Sequence, residues 1–344
     1  MNSNFSVKSF AMHSPLLFTR RSLLASLAAM AATGVALPLL AQQPGAAFHP
    51  TRPVKLISPQ QAGGSTDAVI RPIALKLSEL WGQPVVVENK PGGGTIIGTQ
   101  AVVQAPPDGH TFGLAINSLT INPSLRSDLP YDTLKDITPI TQVGTTTVAL
   151  VAHPALGVNN LPEFIQLAKA RPGTISWASL GIGTGGHITG ELLCKRAGID
   201  IVHVPFAGSS GAYRELLPGR VQAGFVVLDS AVPHLTAGSL KLLAVADHRR
   251  NKQFPQVQTL DETSKGLSYE GIFGFIALAG LPPETLKALH ADIVKVLADP
   301  EIRQQLDRQS MAVMASSPAE FAAAIRSEIE HWRQAVKESG ARLN

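Results

Sequence analysis

The sequence predicts an α/β protein of two domains, with mixed sheets flanked by helices and a ligand cleft between the domains. Three observations carry this. Strand-like and helix-like segments alternate along most of the chain. A strand, glycine turn and helix occur in that order twice, with Gly64 and Gly181 marking turns 117 residues apart. The length of 344 residues also suits two domains. One domain rarely needs two such turns, whereas two domains facing each other can use both on one ligand.

Composition narrows the function classes. Hydrophobic residues are 44% and charged residues 16%, enough for ordinary cores and too little charge for a disordered chain. Residues 1–41 carry Lys8, Arg20 and Arg21 and no acid, so the formal charge of +4 leaves only +1 on the remainder. No basic block of nucleic-acid-binding type stands out, and no nucleic-acid partner is expected. Cys194 is the single cysteine and reads as a small buried apolar residue on a helix. It can form neither an internal disulfide nor a Cys-rich metal site.

Taken in order, residues 1–41 read as an export signal. Thr19-Arg20-Arg21-Ser22-Leu23-Leu24 sets paired arginines directly before the apolar run 23–41. This resembles a twin-arginine signal; a Sec signal and a retained anchor are the alternatives. The sequence places cleavage between Ala41 and Ala47, which would leave the protein in the periplasm.

The run 54–58 is a buried strand. Gly63 and Gly64 form a tight turn, Ser65 or Thr66 caps the following helix, and Val69, Ile73, Leu77 and Leu80 make its core face. Pro72 should kink that helix. Residues 85–88 are a second strand, 89–94 a third glycine turn, 96–103 a weaker helix, and 111–116 a strand ending at Asn117-Ser118. The β stretch 145–152 crosses to the second domain. A helix at 161–170 precedes strand 175–179, the turn Gly181–Gly186 and a helix with Ile188, Leu192 and Leu193. Strand 201–205, a turn through Gly208-Ser209-Ser210-Gly211, and strands within 219–228 and 240–246 follow. The β run 269–278 returns the chain, and helices occupy 284–297, 301–309 and 319–337. Ser317-Pro318-Ala319-Glu320 is a capping box with proline at the first helical position. The expected domains are 48–148 with 270–344, and 149–269, with the crossings near 145–152 and 269–275 as the hinge.

The two glycine turns aim unpaired N–H groups and positive helix ends at one point, a seat for carboxylate or phosphate. No arginine or lysine lies inside either turn. The candidate binding residues are Gln60, Ala62, Gly63, Gly64, Ser65, Thr66, Asp67, Asn117, Ser118, Gly183, Thr184, Gly185, His187 and Phe206. Asp67 either orients a polar ligand group or stabilises its own helix. His187 either donates to a ligand carboxylate or packs against its own loop. His203 reads as structural. His153, His234, His248 and His331 lack metal spacing and H-E-x-x-H is absent, so neither metal nor cofactor is expected.

A set of segments resembles one family. Pro59-Gln60-Gln61-Ala62-Gly63-Gly64-Ser65-Thr66-Asp67 is similar to the proline-and-glycine loop of Bug-type receptors, the extracytoplasmic solute-binding proteins of tripartite tricarboxylate transporters. Gly82 to Gly92, Ala105 to Thr111, Ile121 to Leu125, Leu129 to Asp132, Gly181 to His187, Val202 to Phe206 and Ala298 to Arg303 extend the likeness over 50–340. It implies a type II periplasmic-binding-protein fold, no catalysis, and a ligand drawn from small carboxylates, aromatic acids or amino-acid-like molecules. It also implies transporter membrane subunits as partners; the receptor itself is expected to be a monomer. Gln60 stands where the family commonly has phenylalanine, Ala207 where lysine is frequent, and Val226 where aspartate is common. These departures bear on the ligand, not the fold.

Two enzyme readings compete. Gly181, Gly183 and Gly186 fit the dinucleotide fingerprint G-x-G-x-x-G, which would make the protein an exported nucleotide-dependent oxidoreductase. The acid expected about 20 residues on is missing, since Asp200 lies only 14 after Gly186. A hydrolase would show G-x-S-x-G, which does not occur.

Overall fold

The computed structural model describes residues 48–309 and 311–341. The expected export signal and its cleavage point lie outside them. Among the described residues no helix is long and apolar enough to cross a membrane.

Strand β1 (Val54–Ser58) leads through the first glycine turn into α1 (Ser65–Trp81). Then come β2 (Val85–Asn89), a 3-10 turn at Gly93–Thr95, α2 (Ile96–Val103), β3 (Thr111–Ile116), α3 (Ser118–Leu125) and β4 (Ile137–Thr146). After Thr147 alone, β5 (Val148–Ala152) opens a second sheet. It is followed by α4 (Leu161–Ala170), β6 (Ser176–Ser179), α5 (Gly185–Ala197), β7 (Val202–Pro205) and α6 (Ser209–Leu216). Next are β8 (Ala223–Val227), α7 (Leu228–Thr236), β9 (Lys241–Val245) and the short α8 (Leu260–Thr263). Strand β10 (Gly271–Leu278) rejoins the first sheet, before α9 (Pro283–Leu297), α10 (Pro300–Arg308), β11 (Ala312–Val313) and α11 (Pro318–Ser339).

The first sheet runs β11-β4-β10-β3-β1-β2 and the second β7-β6-β8-β5-β9. Without β11 the two have one plan. Strands β2, β1 and β3 are parallel, as are β7, β6 and β8. Each sheet then receives an antiparallel strand, β10 or β5, that has just crossed from the other lobe. Strands β1 and β6 hold equivalent places, so the two glycine turns leave equivalent carboxyl ends. Open α/β sheets bind ligands at such ends.

The crossings are short and tied together. Thr147 Oγ1 donates to Asp247 Oδ2 at 2.5 Å. Ala246 N–H donates to Val148 O, and Tyr269 N–H to Ala246 O. Gly271 pairs with Thr146.

Several expectations need correction. Residues 117–118 do not simply end a strand, because α3 starts there; its eight residues contain Pro123, and buried Ile121 and Leu125 hold it in place. Ser209 opens α6 and is not part of a plain turn. Helix α7 was also invisible, being short and interrupted by Pro233. Cys194 is only partly buried, although burial pushes its thiol up to about 12.

Helix α11 has the expected capping box, Ser317 with Glu320. Its apolar face serves two cores. Phe321, Ile325 and Ile329 join Leu119 and Ile272 in the first lobe. Trp332 and Val336 join Ile188, Leu192 and Phe225 in the second. Arg196 of α5 adds an ion pair to Glu338, 2.6 Å apart.

Candidate functional site

The first turn is held from within its own lobe. Gly63 has φ +75°, a conformation that disfavours any side chain. Gly64 is extended (φ −89°, ψ −177°) and caps α1 without a side-chain bond, so the expected cap from Ser65 or Thr66 is not made. These two are instead the first helical residues. Asp67 Oδ2 accepts the Gly63 N–H and the Arg71 guanidinium, both at 2.9 Å. Its Oδ1 accepts Asn89 Nδ2 at 2.9 Å. Burial pushes the Asp67 carboxyl up, but these hydrogen bonds from Asn89, Gly63 and Arg71 outweigh it and hold the group below the usual carboxylate range.

The second turn is tighter. Thr184 caps α5, with Oγ1 accepting the His187 N–H and donating to Gly181 O. A Cβ on Gly185 would lie 2.4 Å from the Tyr269 ring, and one on Gly186 2.8 Å from Phe225. Only glycine lets this helix end approach those rings. His187 Nδ1 accepts the Gly183 N–H at 3.2 Å, so His187 does pack against its own loop. Its ring stacks on His203 at 4.6 Å, and His203 stacks on Trp177 at 4.3 Å. Burial lowers His187 to about 4; burial, and then His187 itself, lower His203 to about 3.

Between the sheets lies a cavity of about 730 Å³, counting the open space at its mouth. Of the candidate residues, Gln60, Ser65, Thr66, Asn117, Ser118, Thr184 and Gly185 line it. The buried hydroxyls Thr66 Oγ1, Ser118 Oγ and Tyr269 OH, all on this wall, hydrogen-bond to nothing in the described structure. The N–H groups of Thr66, Ser118, Gly185 and Gly186 likewise donate to no described protein atom, as the first turns of helices leave them. Three helix N-termini, of α1, α3 and α5, therefore open on one cavity. Burial, then Asp247 and Glu328, push the Tyr269 phenol well above its ordinary value, so it is protonated at neutral pH.

Not every expected residue reaches this space. Gln60, Thr184 and Phe206 line an outer mouth together with Arg126 and the 92–95 loop. Ala62, Gly63, Gly64, Asp67, Gly183 and His187 line neither region. Asn117 lines the cavity, but its amide is used on Glu270 O and the Ile272 N–H. The sequence did not reveal Val69, Ile116, Phe225, Tyr269, Ile272, Phe273 or Met311 as wall residues.

The rim joins the lobes. Ser65 N–H donates to Ser209 Oγ at 2.9 Å, and Gln61 N–H to Ala207 O at 3.1 Å. A Cβ on Gly94 would lie 2.5 Å from Ile182 O. These contacts bring the two lobes together at the rim.

His187, Glu191 and His203 bring ligand-type atoms within 4.8 Å of one another, a cluster the sequence spacing did not disclose. Its geometry does not suit a metal. The two rings are stacked 22° from parallel, so their in-plane lone pairs do not converge. His187 Nδ1 accepts a proton, which leaves Nε2 as the N–H of the neutral ring. The dinucleotide reading also lacks its acid, since Asp200 precedes β7 and does not follow it.

Residues 69–341 match the family model described as tripartite tricarboxylate transporter family receptor. The chain belongs to this receptor family. Among relatives of these receptors, Protein BugT of Bordetella pertussis is 33% identical over 321 residues, covering 91% of this chain and 96% of BugT. A solved R. palustris protein with adipate superposes with a TM-score of 0.80 at 29% identity, covering 85% of this chain and 98% of that one. MatC from Rhodopseudomonas palustris with bound malate gives 0.79 at 28%, covering 83% and 99%. The receptor fold thus accounts for the two sheets and the cleft, and the family is one of transporter receptors, not enzymes.

Proposed function

We propose that the protein is a periplasmic receptor that captures a small organic carboxylate in the cleft and delivers it to the membrane subunits of a tripartite transporter. One observation carries the reading. Three helix N-termini and the unpartnered hydroxyls of Thr66 and Ser118 converge on a cavity with no basic side chain among its described lining residues. A carboxylate satisfies such donors, each bond to a charged group contributing about 1.5–3 kcal/mol. The carboxylates named for the adipate- and malate-bound relatives support the class. The site is complete within one chain, which suits a monomer.

Calorimetric titration tests this, after a thermal-shift screen of carboxylates against NAD. A carboxylate should raise the melting point and NAD should not. Ser118→Ala should weaken binding roughly tenfold, about 1.4 kcal/mol. Arg71→Ala should change it little, because Arg71 is engaged by Asp67 and Asn89. Loss of binding in Arg71→Ala with retention in Ser118→Ala would mean a side-chain ion pair holds the anion, contrary to the proposal.

A further inference from the structure

We infer that the receptor selects acids with a single carboxylate and an uncharged, apolar body, and discriminates against diacids and zwitterions. This rests on the carboxylate reading above and specifies its ligand.

The cavity has a polar seat and a largely apolar wall, with the uncharged side chains of Gln60, Thr146 and Gln309 also on its lining. The seat lies at Thr66, Ser118 and the α5 terminus. The apolar wall is made by Ile116, Val148, Phe225, Val227, Ile272 and Phe273. No described lining residue carries a formal charge. A second carboxylate placed against these walls would lose its water and gain no counter-ion.

The second lobe offers no matching seat. Its counterpart of α3 is α7, which leaves strand β8 as α3 leaves β3. Where α3 begins with Ser118, α7 begins Leu228-Asp229, so that helix end already carries a buried acid of its own. Two acids stand behind the wall. Asp247 accepts from Thr147, between lining residues Thr146 and Val148. Glu328 accepts from Trp332, whose ring lies 5.0 Å from Tyr269. Burial pushes both carboxyls up, and neither offers a second anion a positive partner. An ammonium group meets no carboxylate on the lining itself.

Three acids of one chain length separate the possibilities: hexanoate, adipate and 6-aminohexanoate, titrated calorimetrically into the wild-type protein. Hexanoate should bind at least tenfold more tightly than either of the others. If adipate matches or exceeds hexanoate, the inference is overturned while the receptor reading stands; Arg126→Ala then tests whether the second carboxylate reaches the mouth. If 6-aminohexanoate matches or exceeds hexanoate, a zwitterion site replaces it. Should none of the three bind at millimolar concentration, the carboxylate reading and this inference fall together.

Discussion

His187 and His203 sit in a stack with Trp177 directly behind the second glycine turn, and both are kept neutral by burial. In the unfolded chain each takes up a proton near pH 6.5; in the fold they do so only near 4 and 3. The unfolded state therefore binds more protons through this interval, and stability rises with pH across it. Stability should be full above about pH 6.5 and fall as the pH drops toward 4, with His187 alone worth on the order of 3 kcal/mol. Glu191, 4.0 Å from His187, is itself pushed up by burial and offers little countercharge as the pH falls. Urea midpoints measured from pH 8 to 4.5 should decline below 6.5, less steeply in His187→Gln. A flat wild-type profile would contradict the assignment. At this scale the two glycine turns at Ser65–Thr66 and Thr184–Gly185 were readable, since each follows an apolar strand and opens a helix, whereas the helix that Ser118 opens was not. Tyr269 and Phe225 were not, because a wall residue and a core residue share one composition and only the fold tells them apart.

Among the elements, α11 was the most legible: a capping box, proline at the first position and a regular apolar stripe. Helices α3, α6 and α7 were not, having eight or nine residues and, in two cases, an internal proline. Their order comes from burial of residues such as Leu119, Ala212 and Leu228, a tertiary effect that outweighs weak local propensity. Helix α11 also reaches the site indirectly. Trp332 is 1% exposed and packs edge-on against Tyr269. Trp332→Ala should cost about 3–5 kcal/mol of stability. It should also weaken ligand binding by loosening Tyr269, which chemical denaturation and titration would show together. Unchanged stability would mean the second-lobe core does not depend on this helix.

For the whole molecule, the shared plan of the two sheets explains why two turns so far apart in sequence meet. Alternating strands and helices indicated α/β architecture, but strand order and the crossings depend on pairings between distant segments. The rim makes a specific demand at Gly94. Its Cβ position lies 2.5 Å from Ile182 O, across the cleft. Its φ of +66° would also strain alanine, a cost separate from the contact across the cleft. Gly94→Ala should therefore act as a wedge, with the crossings through Thr147 and Ala246–Tyr269 left to bend as the hinge. Scattering with saturating hexanoate should show wild type compacting and the variant remaining expanded, with affinity reduced more than tenfold. A variant that compacts like wild type would show that the rim does not govern closure.

The strap that α11 lays across both lobes also governs timing. The second-lobe core draws its other members from residues 121–269, yet keeps places for Trp332 and Val336. The first lobe likewise keeps one for Phe321. During synthesis in chain order, both cores hold unfilled slots until these residues have left the ribosome. Neither lobe can finish ahead of the other, and the molecule matures as one unit late in translation. If it crosses the inner membrane folded, its passage waits for that helix; if it crosses unfolded, a chain still lacking the helix stays loose enough to thread.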